Sequence, residues 1–236
     1  MPSLADSARG LPLVTDLLSR CSLPPSGTNV DCAVSGGADS VALLVLARAA
    51  NLNVTAWHVD HGLREHSHAE AELVAQLAIQ LEAQFESRTV NVDQGANTEA
   101  RAREARYGAM PQGVMTGHTA DDQAETILIN LLRGSGTRGL AGMQPTSQRP
   151  LLHIRRSETH ALCSALGISV FNDPSNNDER FQRNRIRHEV LPLLESLAKR
   201  DLVPVLTRQA DLLRDDDDLL SELASTLDPT DALALA

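Results

Sequence analysis

The chain has 236 residues, of which 42% are apolar, and carries a formal net charge of −10 at neutral pH. This length suits one large domain, or one domain with a smaller appendage, and the apolar share supports a real core. The three isolated cysteines form no CxxC pair, which argues against a cysteine-based zinc site and predicts a reduced, cytoplasmic protein. Neither a secretory signal nor an apolar run long enough to cross a membrane is found, so we expect no membrane partner.

Strand and helix patterns alternate as far as about residue 150. Valine-rich runs predict four strands, at Val30–Val34, Val54–Val59, Thr89–Val92 and Val114–Gly117. Apolar residues at helical spacing follow each run and predict helices at Ser40–Ala50, Ala69–Glu82, Thr98–Ala109 and Ala120–Leu132. This alternation is typical of an α/β fold, a parallel sheet with helices on both faces. Ligands of such sheets bind beyond the carboxyl ends of the strands, where SGGADS, HVDHGLR and GHTADDQAET fall.

The first of these clusters, SGGADS (residues 35–40), stands where a strand turns into a helix. Two glycines flanked by hydroxyls favour a phosphate held by backbone N–H groups at a helix N-terminus, although a plain turn is the alternative. No lysine precedes Lys199, so the GxxxxGK[ST] loop is excluded, and adjacent glycines do not fit GxGxxG. A carboxylate beside a polyphosphate indicates a Mg²⁺ ion between them, with Asp39 as ligand. Asp39 could equally serve as a helix cap.

The helix predicted after the fourth strand carries several functional candidates on one face. His118, Asp122, Glu125 and Ile129 are spaced by three or four residues, which puts them on the same side of a helix. A helix that only covers a sheet would not need two inward carboxylates, so this face is expected to point into a site. Capping and ordinary surface charge are the alternative interpretation.

The segment RGSGTRGL follows that helix directly. Its three glycines predict a mobile loop that presents Arg133 and Arg138 to phosphate. A capping Gly134 followed by an unremarkable turn would explain the same residues.

The last third of the chain changes in character. Residues 149–188 contain seven arginines against four acidic residues, whereas residues 201–236 contain two against nine. A local basic stretch suits a nucleic-acid partner despite the acidic total. The segment RPLLHI predicts a further strand. Ser157 predicts the start of a helix that ends at Gly167, and the Asn-rich stretch around Pro174 predicts a loop. IRHEVLPLLESLA and LVPVLTRQADLLRDDDDLLSELAS predict amphipathic helices, with Asp215–Asp218 on a solvated surface.

These motifs together resemble the N-type ATP pyrophosphatases that carry a PP-loop, and among them the tRNA(Ile)-lysidine synthetase family. Besides SGGADS, four stretches resemble that family in the same order: HVDHGLREHSHAEA, NTEARAREARYGAM, GHTADDQAETILINLLRGSGTRGLAGM and DPSNNDERFQRNRIRHEVLPLL. The resemblance implies a Rossmann-like PP-loop domain followed by a small helical C-terminal region. It also implies the cofactors ATP and Mg²⁺, and as substrates free L-lysine and tRNA(Ile) with a CAU anticodon. ATP would adenylate the 2-oxo group of the wobble cytidine with release of pyrophosphate, and the lysine ε-amine would then displace AMP from C2 to form lysidine.

The resemblance also implies roles for individual residues. The expected catalytic residues are Asp39, His118, Asp122 and Glu125, of which Asp122 and Glu125 would hold lysine, without a separate assignment of acid and base. The expected ATP-binding residues are Ser35, Gly36, Gly37, Ala38, Asp39, Ser40, His58, Gly117, His118 and Arg133. The expected tRNA-binding residues are Arg103, Arg106, Asn176, Arg183, Asn184 and Arg187.

The predicted organisation has four parts: an N-terminal helix and lead-in at 1–28, the PP-loop domain at 29–155, the end of this N-terminal domain with a tRNA-binding segment at 156–200, and a helical extension at 201–236. Members of the family continue into a C-terminal part that helps to hold tRNA, so the resemblance implies that the last part is truncated or reduced. A homodimer is left open.

Three other functions fit parts of the sequence. A PP-loop tRNA thiolase would need paired catalytic or cluster-binding cysteines. A small-molecule amide synthetase would leave the arginines of residues 149–188 unexplained. A non-catalytic nucleotide- or tRNA-binding module would need neither Asp122 nor Glu125.

Overall fold

The computed structural model describes residues 3–60, 67–90, 105, 108–171 and 178–226, with only the backbone for residues 67–69. Most of the predicted helix Thr98–Ala109 and the candidates Arg103, Arg106 and Asn176 lie outside these ranges. The chain divides into two compact units, residues 1–119 with 145–176 and residues 120–144 with 177–236. The four-part organisation predicted from the sequence stays a prediction.

The first unit is built on a parallel sheet of three described strands, β1 (Asn29–Ala33), β2 (Asn53–Asp60) and β3 (Gln84–Thr89), with β2 in the centre. Cys32 of β1 is level with Ala56 of β2, which is level with Phe85 of β3. The parallel direction and the first two strands confirm the α/β prediction.

The third strand was predicted too late in the chain. It occupies Gln84–Thr89 and overlaps the predicted Thr89–Val92 only at Thr89. Apart from the half-buried Phe85, its side chains are exposed, so this strand lacks the apolar run by which buried strands are recognised. Of the predicted range, positions 91 and 92 lie outside the described residues.

The predicted fourth strand, Val114–Gly117, is only a single bridge to β1. The Met115 N–H donates to the Asp31 carbonyl at 2.8 Å, and the Met115 carbonyl accepts from the Ala33 N–H at 2.9 Å. Pairing ends at the next residue, because the Thr116 N–H donates to the Gln148 carbonyl at 2.8 Å instead.

The strand predicted at RPLLHI is also wrong, since residues 150–153 form successive turns. The Ile154 N–H donates to the Leu151 carbonyl at 2.9 Å. Leu151, Leu152 and Ile154 are all buried, whereas a strand would turn Leu151 and Leu152 to opposite faces.

Helices surround the sheet in the first unit. They are α1 (Leu4–Arg9), α2 (Pro12–Arg20), α3 (Ala38–Ala49), α4 (Ser67–Gln80) and, later in the chain, α7 (Arg156–Ala165). From Val41 to Ala47 every residue of α3 is fully buried, because α3 packs against β1, β2, α1, α2 and α7. This burial explains why the helix is apolar on all sides rather than amphipathic.

The second unit is helical. It comprises α5 (Ala120–Leu132), α6 (Thr137–Leu140), α8 (Gln182–Arg185) with a π-helical turn at Ile186–Val190, α9 (Leu191–Ala198) and α10 (Val203–Ser225). Its core is formed by Ala120, Ala124, Leu128, Ile186, Leu191 and Val203. Among the described residues, none of the helices is both long enough and apolar enough for a membrane span.

Candidate active site

The loop between β1 and α3 is held in shape by its own hydrogen bonds. Gly36 adopts a φ of +87°, a conformation that favours glycine, and its carbonyl accepts from the Phe171 N–H at 2.8 Å. The Ser40 hydroxyl donates to the Gly37 carbonyl at 2.9 Å and accepts from the Ser35 N–H at 3.1 Å. The SGG loop (residues 35–37) thus leads into the first turn of α3, where the helix dipole favours an anion.

Gly117 is required by a close approach of two backbones. A Cβ atom at this position would lie 2.6 Å from the Asp39 carbonyl oxygen and 3.0 Å from the Ser40 nitrogen. Neither is the end of a flexible side chain, so no larger residue fits. The structure therefore brings the predicted candidates Gly117, Asp39 and Ser40 together.

The Asp39 carboxylate meets two residues of α7 that the sequence motifs did not identify. Its Oδ1 accepts a hydrogen bond from the Thr159 hydroxyl at 2.5 Å, and its Oδ2 lies 3.4 Å from Arg156 Nε. No pattern in the sequence signals these contacts, since 117 and 120 positions separate the partners along the chain.

Asp39 fits a magnesium ion by the chemistry of its donor atoms. Within the ranges that the structure describes, no three His, Cys, Asp or Glu side chains cluster as a metal site. Magnesium is commonly held by one or two carboxylates together with substrate phosphates rather than by a protein cage. A single carboxylate beside a helix N-terminus that favours an anion meets that requirement.

Both candidate histidines in this unit are fixed through Nδ1. His58 is buried, and its Nδ1 lies 2.9 Å from the Val34 carbonyl; because a carbonyl only accepts, Nδ1 carries the proton. His118 Nδ1 lies 2.7 Å from the Thr116 hydroxyl, which can donate onward to the Gln148 carbonyl at 3.2 Å. If that hydroxyl gives its proton to Gln148, His118 Nδ1 is a donor too, and its Nε2 is left as the basic nitrogen.

In the second unit, Glu125 is the centre of an ion cluster. Its side chain is only 1% exposed. Oε2 accepts from Arg183 Nε at 2.6 Å, Oε1 accepts from Arg187 Nε at 2.7 Å, and a second Arg187 nitrogen reaches Oε2 at 3.2 Å. Both carboxylate oxygens are therefore engaged by arginines that the sequence analysis assigned to tRNA.

Asp122 stands one helical turn before Glu125 and shares its partners. Arg183 donates to the Asp122 side chain at 3.3 Å and to its carbonyl at 3.1 Å. The Arg183 and Arg187 side chains remain 32% and 23% exposed. This cluster of two acids and two arginines is held inside the unit but keeps part of each arginine side chain at the surface.

The remaining candidates of this unit lie around the same helices. Asn184 is buried, and its side-chain amide donates to the Asp178 carbonyl at 2.9 Å, so it holds the backbone before α8. Arg133 is exposed in the loop after α5, whereas Arg138 is exposed in the short helix α6. Residues Thr137–Leu140 of the segment predicted as a mobile loop are therefore helical. The loop is anchored by Asn130, whose amide donates to the Gly139 carbonyl at 2.7 Å.

The cysteines do not form a reactive centre. All three are free thiols. Burial raises the pKa of Cys21 and of Cys32 to about 12, and the pKa of Cys163 to about 11, in the last case with a contribution from the charge of Asp39. These thiols stay protonated at neutral pH, and a protonated thiol is a poor nucleophile and a poor metal ligand.

Comparison with known proteins identifies clear relatives. A family model described as a PP-loop domain matches residues 15–194. The chain is 46% identical over 204 residues to a tRNA(Ile)-lysidine synthase of Rhodococcus erythropolis, a match that covers 83% of this chain and 63% of that protein. It is 48% identical over 203 residues to a tRNA(Ile)-lysidine synthase of Mycolicibacterium paratuberculosis, and this match covers 81% of this chain and 62% of that protein. The chain thus spans a little under two thirds of the length of these relatives.

Among solved structures, the chain is similar to the U34-tRNA thiolase NcsA of Methanococcus maripaludis, which was determined with its [4Fe-4S] cluster. The TM-score is 0.67 at 17% sequence identity, and the similarity covers 89% of this chain and 80% of that one. At this identity the similarity establishes the fold alone.

Proposed function

The chain belongs to the PP-loop domain family, and from this premise we propose that it is an ATP-dependent ligase that attaches free L-lysine to C2 of the wobble cytidine in tRNA(Ile) with a CAU anticodon. The PP-loop domain implies the use of ATP. The observation that carries the proposal is the identity to tRNA(Ile)-lysidine synthases over four fifths of the chain. Free thiols suit the cytoplasm, where we expect the enzyme to act.

The proposed reaction has two steps. The 2-oxo oxygen of the cytidine attacks the α-phosphorus of ATP, and pyrophosphate leaves. The lysine ε-amine then attacks C2, and AMP leaves with the former oxo oxygen, while the amine gives up a proton. The sum is lysidine, AMP and pyrophosphate, without any change of oxidation state.

We assign ATP to the first unit. Backbone N–H groups of the SGG loop and the Ser35 and Ser40 hydroxyls would hold phosphate oxygens, and Asp39 would hold Mg²⁺. The ion, when bound, would supply positive charge that eases the departure of pyrophosphate. His118, with Nδ1 engaged by Thr116, would present Nε2 to the phosphate or the reacting base. His58 would line the adenosine end.

We assign lysine and tRNA to the second unit. Asp122 is the better candidate for the lysine ammonium, because Arg183 reaches its carboxylate at 3.3 Å, whereas the arginine contacts of Glu125 are 2.6 Å and 2.7 Å long. Glu125 would act by orienting Arg183 and Arg187, whose side chains are partly exposed and would meet the tRNA backbone. Arginine suits this task, since its planar fork matches phosphate geometry. Arg133, in the loop after α5, would bind a phosphate group. Arg103, Arg106 and Asn176 stay predicted tRNA ligands.

The properties of the cysteines disfavour a thiolase. Sulfur transfer of that kind needs thiolates or a cluster-binding set, whereas burial raises the pKa of all three thiols here. The fold similarity to a tRNA thiolase therefore does not extend to this chemistry.

The decisive experiment measures pyrophosphate release from ATP with Mg²⁺ and a tRNA(Ile) transcript bearing a CAU anticodon, with and without lysine. The RNA is then digested and its nucleosides are analysed by mass spectrometry. We expect release to require this tRNA and the wobble cytidine to gain the mass of lysine minus water. Asp39→Asn should abolish both signals.

Two controls make the result specific. A transcript with a CAU anticodon from a methionine tRNA tests selection of the isoleucine tRNA, and omission of lysine separates adenylation from ligation. Pyrophosphate release without any tRNA would contradict the proposal and favour a small-molecule synthetase. Binding of ATP and tRNA without any turnover would favour a non-catalytic module.

A further inference from the structure

Helix α7 provides a buried hydroxyl directly behind the Asp39 carboxylate. Thr159 is completely buried, and its hydroxyl donates to Asp39 Oδ1 at 2.5 Å. We propose that Thr159 is a positioning residue: it sets the orientation of the Asp39 carboxylate so that the opposite oxygen is directed to the Mg²⁺ of the bound nucleotide. This inference rests on the proposed function, which places Mg–ATP at the SGG loop.

The docking of α7 on α3 makes this contact rigid. Next to Thr159 on the same face of α7, the Cys163 thiol lies 3.7 Å from the Ala38 carbonyl, the residue before Asp39. Thr159 and Cys163 are both buried, as is Ala38. A donor on a packed helix restricts the rotation of the carboxylate that it contacts, which lowers the cost of ordering that carboxylate when a ligand binds.

The direction of the Thr159 proton follows from charge. A hydroxyl has one proton, and the Thr159 oxygen lies near two acceptors, the Asp39 carboxylate at 2.5 Å and the Arg156 carbonyl at 2.8 Å. The ionised carboxylate is the stronger acceptor and has the shorter contact. The proton therefore points to Asp39, and a valine at position 159 would keep the shape of the side chain but lose the donor.

Arg156 contacts the other oxygen of the Asp39 carboxylate. Its Nε lies 3.4 Å from Asp39 Oδ2, at the long limit of hydrogen bonding, and the two side chains are 20% and 27% exposed. A long, partly solvated ion pair is weak, so a divalent cation can compete for Oδ2, whereas the short bond from the buried Thr159 persists on Oδ1. The two contacts thus differ in strength: the bond to Oδ1 is short and comes from a buried donor, whereas the ion pair at Oδ2 is long and partly exposed.

The test is calorimetric binding of α,β-methylene-ATP, which the enzyme cannot cleave to pyrophosphate, to the full chain over a series of Mg²⁺ concentrations and in EDTA. For Thr159→Val we expect the Mg²⁺ concentration at half-maximal binding to rise about tenfold, the effect of losing one hydrogen bond to a charged group. Affinity in EDTA should not change. Thr159→Ser restores the donor and should return the Mg²⁺ dependence to that of the wild type.

Thr207→Val is the matched control. Its hydroxyl donates within α10 to the Val203 carbonyl at 3.0 Å, so the variant loses a helix back-bond without touching Asp39. A Thr159→Val protein with a Mg²⁺ dependence like that of Thr207→Val, or a Thr159→Ser protein as impaired as Thr159→Val, would overturn the inference alone. A wild-type chain that binds no Mg–nucleotide would overturn the proposed function and the inference with it.

Discussion

Replacement of Glu125 by glutamine should destabilise the second unit by about 3 kcal/mol at neutral pH. Among the described contacts, Oε1 accepts from Arg187 Nε, whereas Oε2 accepts from one nitrogen of each arginine. The glutamine amide would therefore turn its NH₂ group to the Oε1 side, which loses one hydrogen bond and the whole negative charge. Removal of one partner from a buried ion pair costs about 3–5 kcal/mol, and the partial exposure of both arginines argues for the lower end of this range.

Urea denaturation followed by circular dichroism measures this loss, with Glu189→Gln as the control. Glu189 also pairs with an arginine, Arg185 at 3.1 Å, but the two side chains are 46% and 60% exposed. The control should unfold at the same urea concentration as the wild type. If Glu125→Gln lost less than about 1 kcal/mol, as exposed pairs do, the description of Glu125 as a buried centre of charge would be refuted.

Three further outcomes follow from the structure. Gly117→Ala should lower the free energy of unfolding by about 1–3 kcal/mol, the cost of overpacking, because the added methyl group would lie 2.6 Å from the Asp39 carbonyl oxygen. Gly136→Ala is the control: its methyl group meets no described atom within 4 Å, so it should change the thermal midpoint of unfolding little. A hydrogen bond from Arg20 lowers the pKa of Glu158 below its ordinary value of 4.5, so that pair stabilises the fold above this pH and is lost as the pH falls through the lowered value. Urea curves from about pH 7 to about pH 3 should therefore show the wild type losing its advantage over Glu158→Gln, and an advantage that stayed constant would contradict this. Cys32, whose pKa burial raises to about 12, should resist iodoacetamide in the native protein, as mass spectrometry can check; rapid labelling before unfolding would contradict its burial.

The buried framework could be predicted because burial leaves a pattern in the sequence. Helix α5 has the predicted bounds, Ala120–Leu132, and α10 begins one residue after its predicted start. Strands β1 and β2 were found from their apolar runs. Strand β3 could not be found in this way, because its side chains are largely exposed and its position is fixed by pairing with β2.

The site could be predicted as a set of residues but not as a set of contacts. The motif SGGADS predicted the loop before α3, and the spacing of Asp122 and Glu125 predicted that they share one face of a helix. The contact between Asp39 and Thr159 depends on how α7 docks on α3, which no local pattern encodes. The same holds for Glu125, whose partners lie 58 and 62 positions further along the chain.

The pairing of Glu125 changes how the two groups of candidates in the second unit should be understood. The sequence predicted Asp122 and Glu125 as lysine ligands and Arg183 and Arg187 as tRNA ligands, which makes two separate groups. In the structure one buried carboxylate joins both arginines, and Asp122 contacts Arg183 as well. A ligand that binds either arginine must therefore change the electrostatic potential at Asp122, since the charged groups lie within 4 Å of one another. On the proposed function, a tRNA that contacts Arg183 or Arg187 would therefore also act on the carboxylate proposed to hold lysine.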